Sequence, residues 1–291
     1  MAKNNLKKYP FLHTLNHSQK INATNIWERL NRKPHELFQP HRIDFYMICI
    51  FTEGEGVHSV DFRSFEVSPD HFLCVAKGQV HHFSHKESYN GNTVVFTDDF
   101  FCRTEAHRVF LNNSKLFNDP LKIPYFNIKS ISHELNMLYE FIIEELKKPV
   151  DKYQADLLHN YLYNMLLLAE RVYHPVSMDY PINRKEILIA DFKKITEMHL
   201  HQQWSIAQYA AQLNVTPRTL QNAFTEFEEV TPKSWLKERL VLEIKRLLIF
   251  NAFSMSETAY QLGFKDTSNF TKFFKTSTGL TPLEFRTQAS R

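Results

Sequence analysis

Along residues 41–100 the apolar positions come in short runs broken by turn signals. Ile43–Thr52 reads as one long strand, closed by the hairpin-type turn Glu53-Gly54-Glu55-Gly56. Val57–Phe62, Phe65–Val67, Phe72–Ala76, Val80–Ser84 and Thr93–Thr97 follow, separated by Ser68-Pro69-Asp70 and Lys77-Gly78-Gln79. Four of the six glycines (54, 56, 78 and 91) fall in the intervening turns. Short strands at near-regular spacing predict an antiparallel sandwich or barrel.

The period then changes. Leu135, Leu138, Tyr139, Ile142, Ile143 and Leu146 recur at helical spacing and stop at Pro149. A second helix, roughly Lys152–Tyr173, has a wide apolar face made of Leu157, Leu158, Tyr161, Leu162, Met165, Leu166 and Leu168. Packing against the barrel and self-association both suit such a face. The stretch from His174-Pro175 to Tyr180-Pro181 breaks the pattern and reads as a linker. The organisation that follows is a barrel over 1–130, a helical region over 131–175, a linker over 176–183 and a separate domain over 184–291.

That last segment repeats itself. Ser205–Val215 aligns with Ser254–Phe264 at an offset of 49, matching Ile206/Met255, Ala210/Ala259, Leu213/Leu262 and Val215/Phe264. One residue is then added, and at an offset of 50 Leu220/Phe270, Phe224/Phe274 and Thr231-Pro232/Thr281-Pro282 coincide. Each copy has the layout of a helix-turn-helix. A short helix carries an alanine where a second helix approaches, a turn residue tolerates left-handed dihedrals (Asn214, Gly263), and an apolar plug precedes a capped second helix. Thr216 with Pro217 caps one and Asp266 the other. Outside the buried side of the second helices stand Arg218, Gln221, Asn222 and Thr225 in one copy, and Thr267, Ser268, Thr271, Lys272 and Lys275 in the other. Arg, Gln and Asn pair with base edges, while Lys, Thr and Ser serve bases or phosphates. Between the units Pro232–Phe250 reads as one helix, ~27 Å long at 1.5 Å per residue. The spacing of successive major-groove faces is ~34 Å, so one chain can address two groove segments.

Composition adds bounds. At 291 residues, with 43% hydrophobic and 14% aromatic side chains, the chain has material for two cores. The net charge is only +3, but residues 182–291 hold 15 Lys and Arg against 11 Asp and Glu, whereas 1–181 hold 20 against 21. Cys49, Cys74 and Cys102 share no CxxC spacing, so neither a disulfide framework nor a structural zinc site is expected. No run nears the ~18 apolar residues of a membrane span, and the chain reads as soluble and cytoplasmic.

Residues 184–286 resemble the DNA-binding domain of the AraC/XylS family of bacterial regulators. The densest stretch runs from Ser256-Glu257-Thr258-Ala259-Tyr260-Gln261-Leu262-Gly263-Phe264 to Gly279-Leu280-Thr281-Pro282-Leu283-Glu284-Phe285-Arg286, which keeps the family's ending G-x-T-P-x-x-[YF]-R. The resemblance implies base reading by Arg218, Gln221 and Asn222 in the first unit and by Thr267, Ser268 and Lys272 in the second. Thr216, Thr225, Thr271 and Lys275 are then backbone contacts. Glu228-Glu229 depart from it, standing where the family often has a glycine. Residues 41–62 and 67–83 more loosely resemble the family's cupin-like effector domain. Catalytic cupins hold a metal with His-x-His, a Glu and a later His. Here only His41 and His81 fall near such places, Arg42-Ile43 replaces the second His, and His58 or His82 would have to substitute. Neither a metal nor another cofactor is expected, and a ligand pocket with Tyr46, His58 and His81 in its wall is the reading instead.

The expected molecule is an α+β two-domain protein. A cupin-like antiparallel β-barrel with trailing helices precedes an all-α domain in which a long helix joins two helix-turn-helix units. Its expected function is sequence-specific transcriptional regulation on promoter double-stranded DNA, with a small-molecule effector, RNA polymerase and a second copy of itself as further partners. No catalytic residues stand out. Two alternatives remain open: a metal-dependent cupin enzyme fused to a DNA anchor, and a ligand-independent architectural DNA binder.

Overall fold

The computed structural model describes residues 7–9, 11, 20–32, 37–83, 89–174, 183–251 and 253–289. They fall into two compact units divided between Asp179 and Tyr180. The expected linker, apart from Asn183, lies outside the described residues.

In the first unit, strands β1 (Lys7–Tyr9), β3 (His41–Ile43), β8 (Val80–Phe83), β5 (Gly56–Val60) and β6 (Arg63–Val67) form one sheet in that order. Strands β10 (Tyr125–Asn127), β7 (His71–Val75), β4 (Tyr46–Glu53), β9 (Asn90–Phe96) and β2 (Ile21–Asn25) form the other. Every pairing is antiparallel except β1 with β3. Helices α1 (Ile26–Arg32), α2 (Asp98–Phe101), α3 (Glu105–Asn113), α4 (Ser132–Lys147) and α5 (Gln154–Tyr173) complete the unit.

The long strand expected over Ile43–Thr52 is two strands in different sheets. Asp44-Phe45 forms the corner, where Asp44 Oδ1 accepts from the Phe11 N–H at 3.0 Å and Phe45 is buried. A strand that changes sheets must bend, and the bend leaves no trace in the apolar pattern because both Ile43 and Phe45 face the core between the sheets. Gly54 and Gly78 hold turns with φ of 72° and 86°, but Gly56 opens β5 and Gly91 lies inside β9. A Cβ on Gly91 would come within 2.2 Å of the Ile50 carbonyl oxygen, so close backbone approach explains that glycine.

Alternation along β4 divides the apolar side chains between two cores. Met47, Cys49 and Phe51 face inward with Val60, Val67, Leu73, Val75, Phe83 and Val95. Ile48 and Ile50 face outward, where α4 and α5 cover them with Leu135, Tyr139, Ile142, Leu158, Leu162, Met165 and Leu166. The wide face of α5 thus packs on the barrel. Leu157 and Leu167 fall outside that contact, as do Met137 and Phe141 on α4, and all four are exposed.

The second unit contains α6 (Arg184–His199), a 3-10 turn (Leu200–Gln202), α7 (Ile206–Gln212), α8 (Pro217–Phe227), α9 (Pro232–Phe250), α10 (Met255–Gln261), α11 (Thr267–Thr278) and α12 (Pro282–Ala289). Helix α9 has the bounds that its sequence predicts, because Thr231 caps it by accepting from the Ser234 N–H and Pro232 takes the first helical position. It lies between two cores. Phe192 on α6 meets Tyr209, Phe224 and Trp235 with ring centroids 5.2, 5.2 and 5.8 Å apart. Leu240, Ile244 and Leu248 join Leu262, Phe264, Phe270 and Phe274. Arg239 and Arg246 are also buried on α9. Arg239 grips Glu197 through two nitrogens at 2.6 and 2.7 Å, and Glu243 bridges both arginines, so each charge is paired where it leaves water.

Candidate nucleic-acid interface

Both helix-turn-helix units are built by the same local chemistry. Ser205 and Gln208 form a reciprocal capping box at the start of α7, and Ser254 and Glu257 do so at α10. Each short helix then ends in a Schellman turn. Val215 N–H donates to the Ala210 carbonyl and Asn214 N–H to that of Ala211; Phe264 and Gly263 repeat this on Ala259 and Tyr260, all four at 3.0 Å. The turn residues have left-handed φ, 55° at Asn214 and 74° at Gly263. In the second unit only glycine fits without strain, since a Cβ there would sit 2.0 Å from the His201 carbonyl oxygen. Ala210 and Ala259 are buried where the second helix approaches.

The second helices start as expected. Thr216 accepts from the Thr219 N–H on α8, and Asp266 from the Asn269 N–H on α11. Leu220, Ala223 and Phe224 anchor α8, and Phe270 and Phe274 anchor α11. The offset of 50 then matches the outward faces, Arg218 with Ser268, Gln221 with Thr271, Asn222 with Lys272 and Thr225 with Lys275. Arg218, Asn222, Thr225, Ser268, Lys272 and Lys275 are exposed, whereas Gln221, Thr267 and Thr271 are partly buried. Gln221 is bound within its own helix, its Nε2 donating to Thr225 Oγ1 at 3.3 Å. The Thr216 hydroxyl is occupied by its cap and by Thr219 Oγ1 at 2.8 Å. Sequence reasoning passed over Asn269, which is exposed on the first turn of α11 and held by Asp266 at 2.7 Å. Its role as the partner of a cap hides it from a search for outward i, i+3, i+4 positions.

The two departures from the family pattern have separate structural roles. Glu229 takes the left-handed conformation, φ 56°, that ends α8, where Gly279 ends α11 at 81°. Glu228 turns inward and pairs with Lys193 at 2.6 Å, both side chains being at least 93% buried. The Lys193 ammonium also lies 5.7 Å from the centre of the Trp235 ring, tying α6 to the end of α8. Arg286, the last residue of the quoted ending, donates to the carbonyls of Leu248 and Phe253 at 3.0 and 2.8 Å. It satisfies backbone groups at the end of α9.

The three side chains expected in one barrel wall do not share it. His58 and His81 face inward, both fully buried. Tyr46 points to the other side of its sheet, stacking on Phe96, meeting Phe117 edge-on and donating to Asp98 Oδ1 at 2.9 Å. The alternation of β4 decides this, since Tyr46 shares parity with Ile48 and Ile50. Among the described residues no group of three or more His, Cys, Asp or Glu is disposed to hold a metal ion.

The family model described as an AraC-like ligand binding domain matches residues 29–97, and one described as a helix-turn-helix domain matches 209–288. Together they cover about half of the chain, one in each unit. The chain belongs to the AraC family of DNA-binding transcriptional regulators. This AraC-family chain is 19% identical over 260 residues to the HTH-type transcriptional activator RhaR of Enterobacter sp. (strain 638), covering 88% of this chain and 89% of that one. It is 20% identical over 265 residues to RhaR of Salmonella schwarzengrund (strain CVM19633), with the same coverage. Among solved structures, ToxT from Vibrio cholerae aligns with 92% of this chain and 97% of its own at 14% identity and a TM-score of 0.44. Among the described residues no helix is long and apolar enough to cross a membrane.

Proposed function

We infer that this AraC-family regulator reads promoter DNA in two adjacent major-groove segments, one with α8 and one with α11. Arg218, Gln221 and Asn222 read bases in the first segment, and Thr267, Ser268 and Lys272 in the second. Thr216, Thr225, Thr271 and Lys275 contact the backbone. The observation that carries this reading is the duplicated unit, with the same turn geometry, side-chain caps at the same positions and matched outward faces on either side of one helix. The chain acts without catalysis of its own. A small molecule held in the barrel modulates DNA binding, two copies associate through the exposed side of α4 and α5, and the bound protein recruits RNA polymerase.

Genome-wide capture of DNA fragments by the purified full-length protein tests the reading. The expected result is a motif with two blocks about one helical turn apart. Enrichment of no motif, together with a steep salt dependence on random DNA, would instead mark an architectural binder.

A further inference from the structure

The barrel interior holds a set of nitrogen donors that DNA reading does not use. His41 and His81 are register partners across β3 and β8, and their ring centroids are 4.3 Å apart. His58, on the next strand, lies 5.6 Å from His81. All three are at most 1% exposed. His58 uses Nδ1 on the Tyr89 hydroxyl at 3.1 Å and has no partner at Nε2, while His81 has none at either ring nitrogen. On α1, Ile26 and Leu30 pack into the same inner core. Arg29 shares their helix face at i+3 from Ile26. No ion pair or hydrogen bond holds Arg29 among the described residues. Arg29 is partly buried on that face, and its charge acts on Cys49, at the centre of β4, and on His81.

Folded interiors pair nearly all their buried polar atoms, and an unpaired group there calls for an explanation. Burial, reinforced by neighbouring cationic groups, holds His58 down to about 3 and His81 well below 6.5, so both rings are neutral. No carboxylate acts on either ring among the described residues. A cation would be repelled by Arg29. A neutral polyol would satisfy the ring nitrogens and leave the guanidinium uncompensated in a poorly solvated place. An anion answers both needs, and planar carboxylates match the guanidinium fork. Met47, Phe51, Val60, Phe83 and Val95 supply apolar surface around it.

We propose that the barrel takes a small carboxylic acid, bound as the carboxylate between Arg29 and the His58–His81 pair with its apolar body against Met47, Phe51 and Phe83. The assignment rests on the reading of the barrel as the effector site. Titration calorimetry on the full-length protein with butanoate, hexanoate, octanoate and benzoate, each beside its neutral amide, tests it, with inorganic phosphate and D-glucose as further probes. At least one carboxylate should bind about tenfold or more tighter than its amide. Arg29→Gln should abolish that difference, and Arg29→Lys should restore part of it. Equal binding of acid and amide, a preference that survives Arg29→Gln, binding of phosphate alone, or binding of none of the probes would overturn the assignment. Glucose binding without carboxylate binding would overturn it while leaving an effector-responsive barrel in place. Carboxylate binding that leaves operator affinity unchanged would support the site and remove its regulatory role.

Discussion

At the scale of single residues, the side chains proposed to read DNA differ from those that build the scaffold. Arg218 is exposed and makes no contribution to the core of its unit. Arg218→Ala should therefore cost ~1–3 kcal/mol at the cognate operator and relax sequence preference there, without lowering stability. Lys275→Ala should weaken binding to all sequences alike and reduce the slope of log K against log salt by about one. Equilibrium titrations on cognate and random duplexes at several salt concentrations separate the two. Gly263 is a building residue. Gly263→Ala combines a positive φ with a clash on backbone, and the free energy of urea unfolding should fall by more than the ~1 kcal/mol typical of strained left-handed positions. Glu229→Gly, at the matching end of α8, should stabilise by roughly 0.5–1 kcal/mol. His58 sets a pH dependence. Its folded pKa of about 3 lies below its ordinary 6.5, so the unfolded chain binds the extra proton between those values. Its contribution should be lost as pH falls from 6.5 toward 3, at ~1 kcal/mol per pH unit beside a contribution of the same sign from His81, and His58→Gln should remove the His58 share of that slope. Urea titrations at pH 7, 6 and 5 measure it.

At the scale of elements, the sequence is most legible where local chemistry and packing agree. Thr231-Pro232 starts α9 without ambiguity. Asn214 and Gly263 mark turns because their conformations favour those residues. Legibility fails where the decisive partner is distant in sequence. The corner at Asp44-Phe45 is fixed by the Phe11 N–H and by a second sheet, neither of which alters the local apolar pattern. The chemistry of Tyr46 suggests the barrel wall, although its parity with Ile48 and Ile50 puts it outside. Arg29 was missed for a related reason: α1 spans only seven residues, too short for its period to stand out. Lys193 and Glu228 read as surface charges until α6 and α8 are seen side by side. Breaking that buried pair with Glu228→Gln should cost ~3–5 kcal/mol, since it leaves an uncompensated ammonium. Combining it with Lys193→Met should recover much of the loss, and a double-mutant cycle in urea checks both.

At the scale of the whole molecule, the proposed pair of reading helices on one chain addresses two groove segments, and association of two chains would double that number. The exposed apolar side chains Met137, Phe141, Leu157 and Leu167 on α4 and α5 are the surface on which association is expected. Phe141→Glu combined with Leu157→Glu should shift the protein to monomers in sedimentation velocity while leaving the spectrum of the folded barrel unchanged. Operator affinity should fall at the same time, because two linked contacts benefit from effective concentration and separate ones do not. A dimer that survives both substitutions would place the interface elsewhere.

The matched caps and Schellman turns have one more consequence. The caps, turns and inward faces that orient α8 and α11 are separate from the exposed positions Arg218, Asn222, Ser268, Lys272 and Lys275 that face outward. The alphabet of those outward positions is therefore free to change without retuning the scaffold. Exchanging the Arg218, Gln221, Asn222 and Thr225 set for Ser268, Thr271, Lys272 and Lys275 should yield a folded protein whose preferred sequence blocks have traded places. A regulator built this way can acquire new target sites through few substitutions, each paid in recognition and almost none in folding.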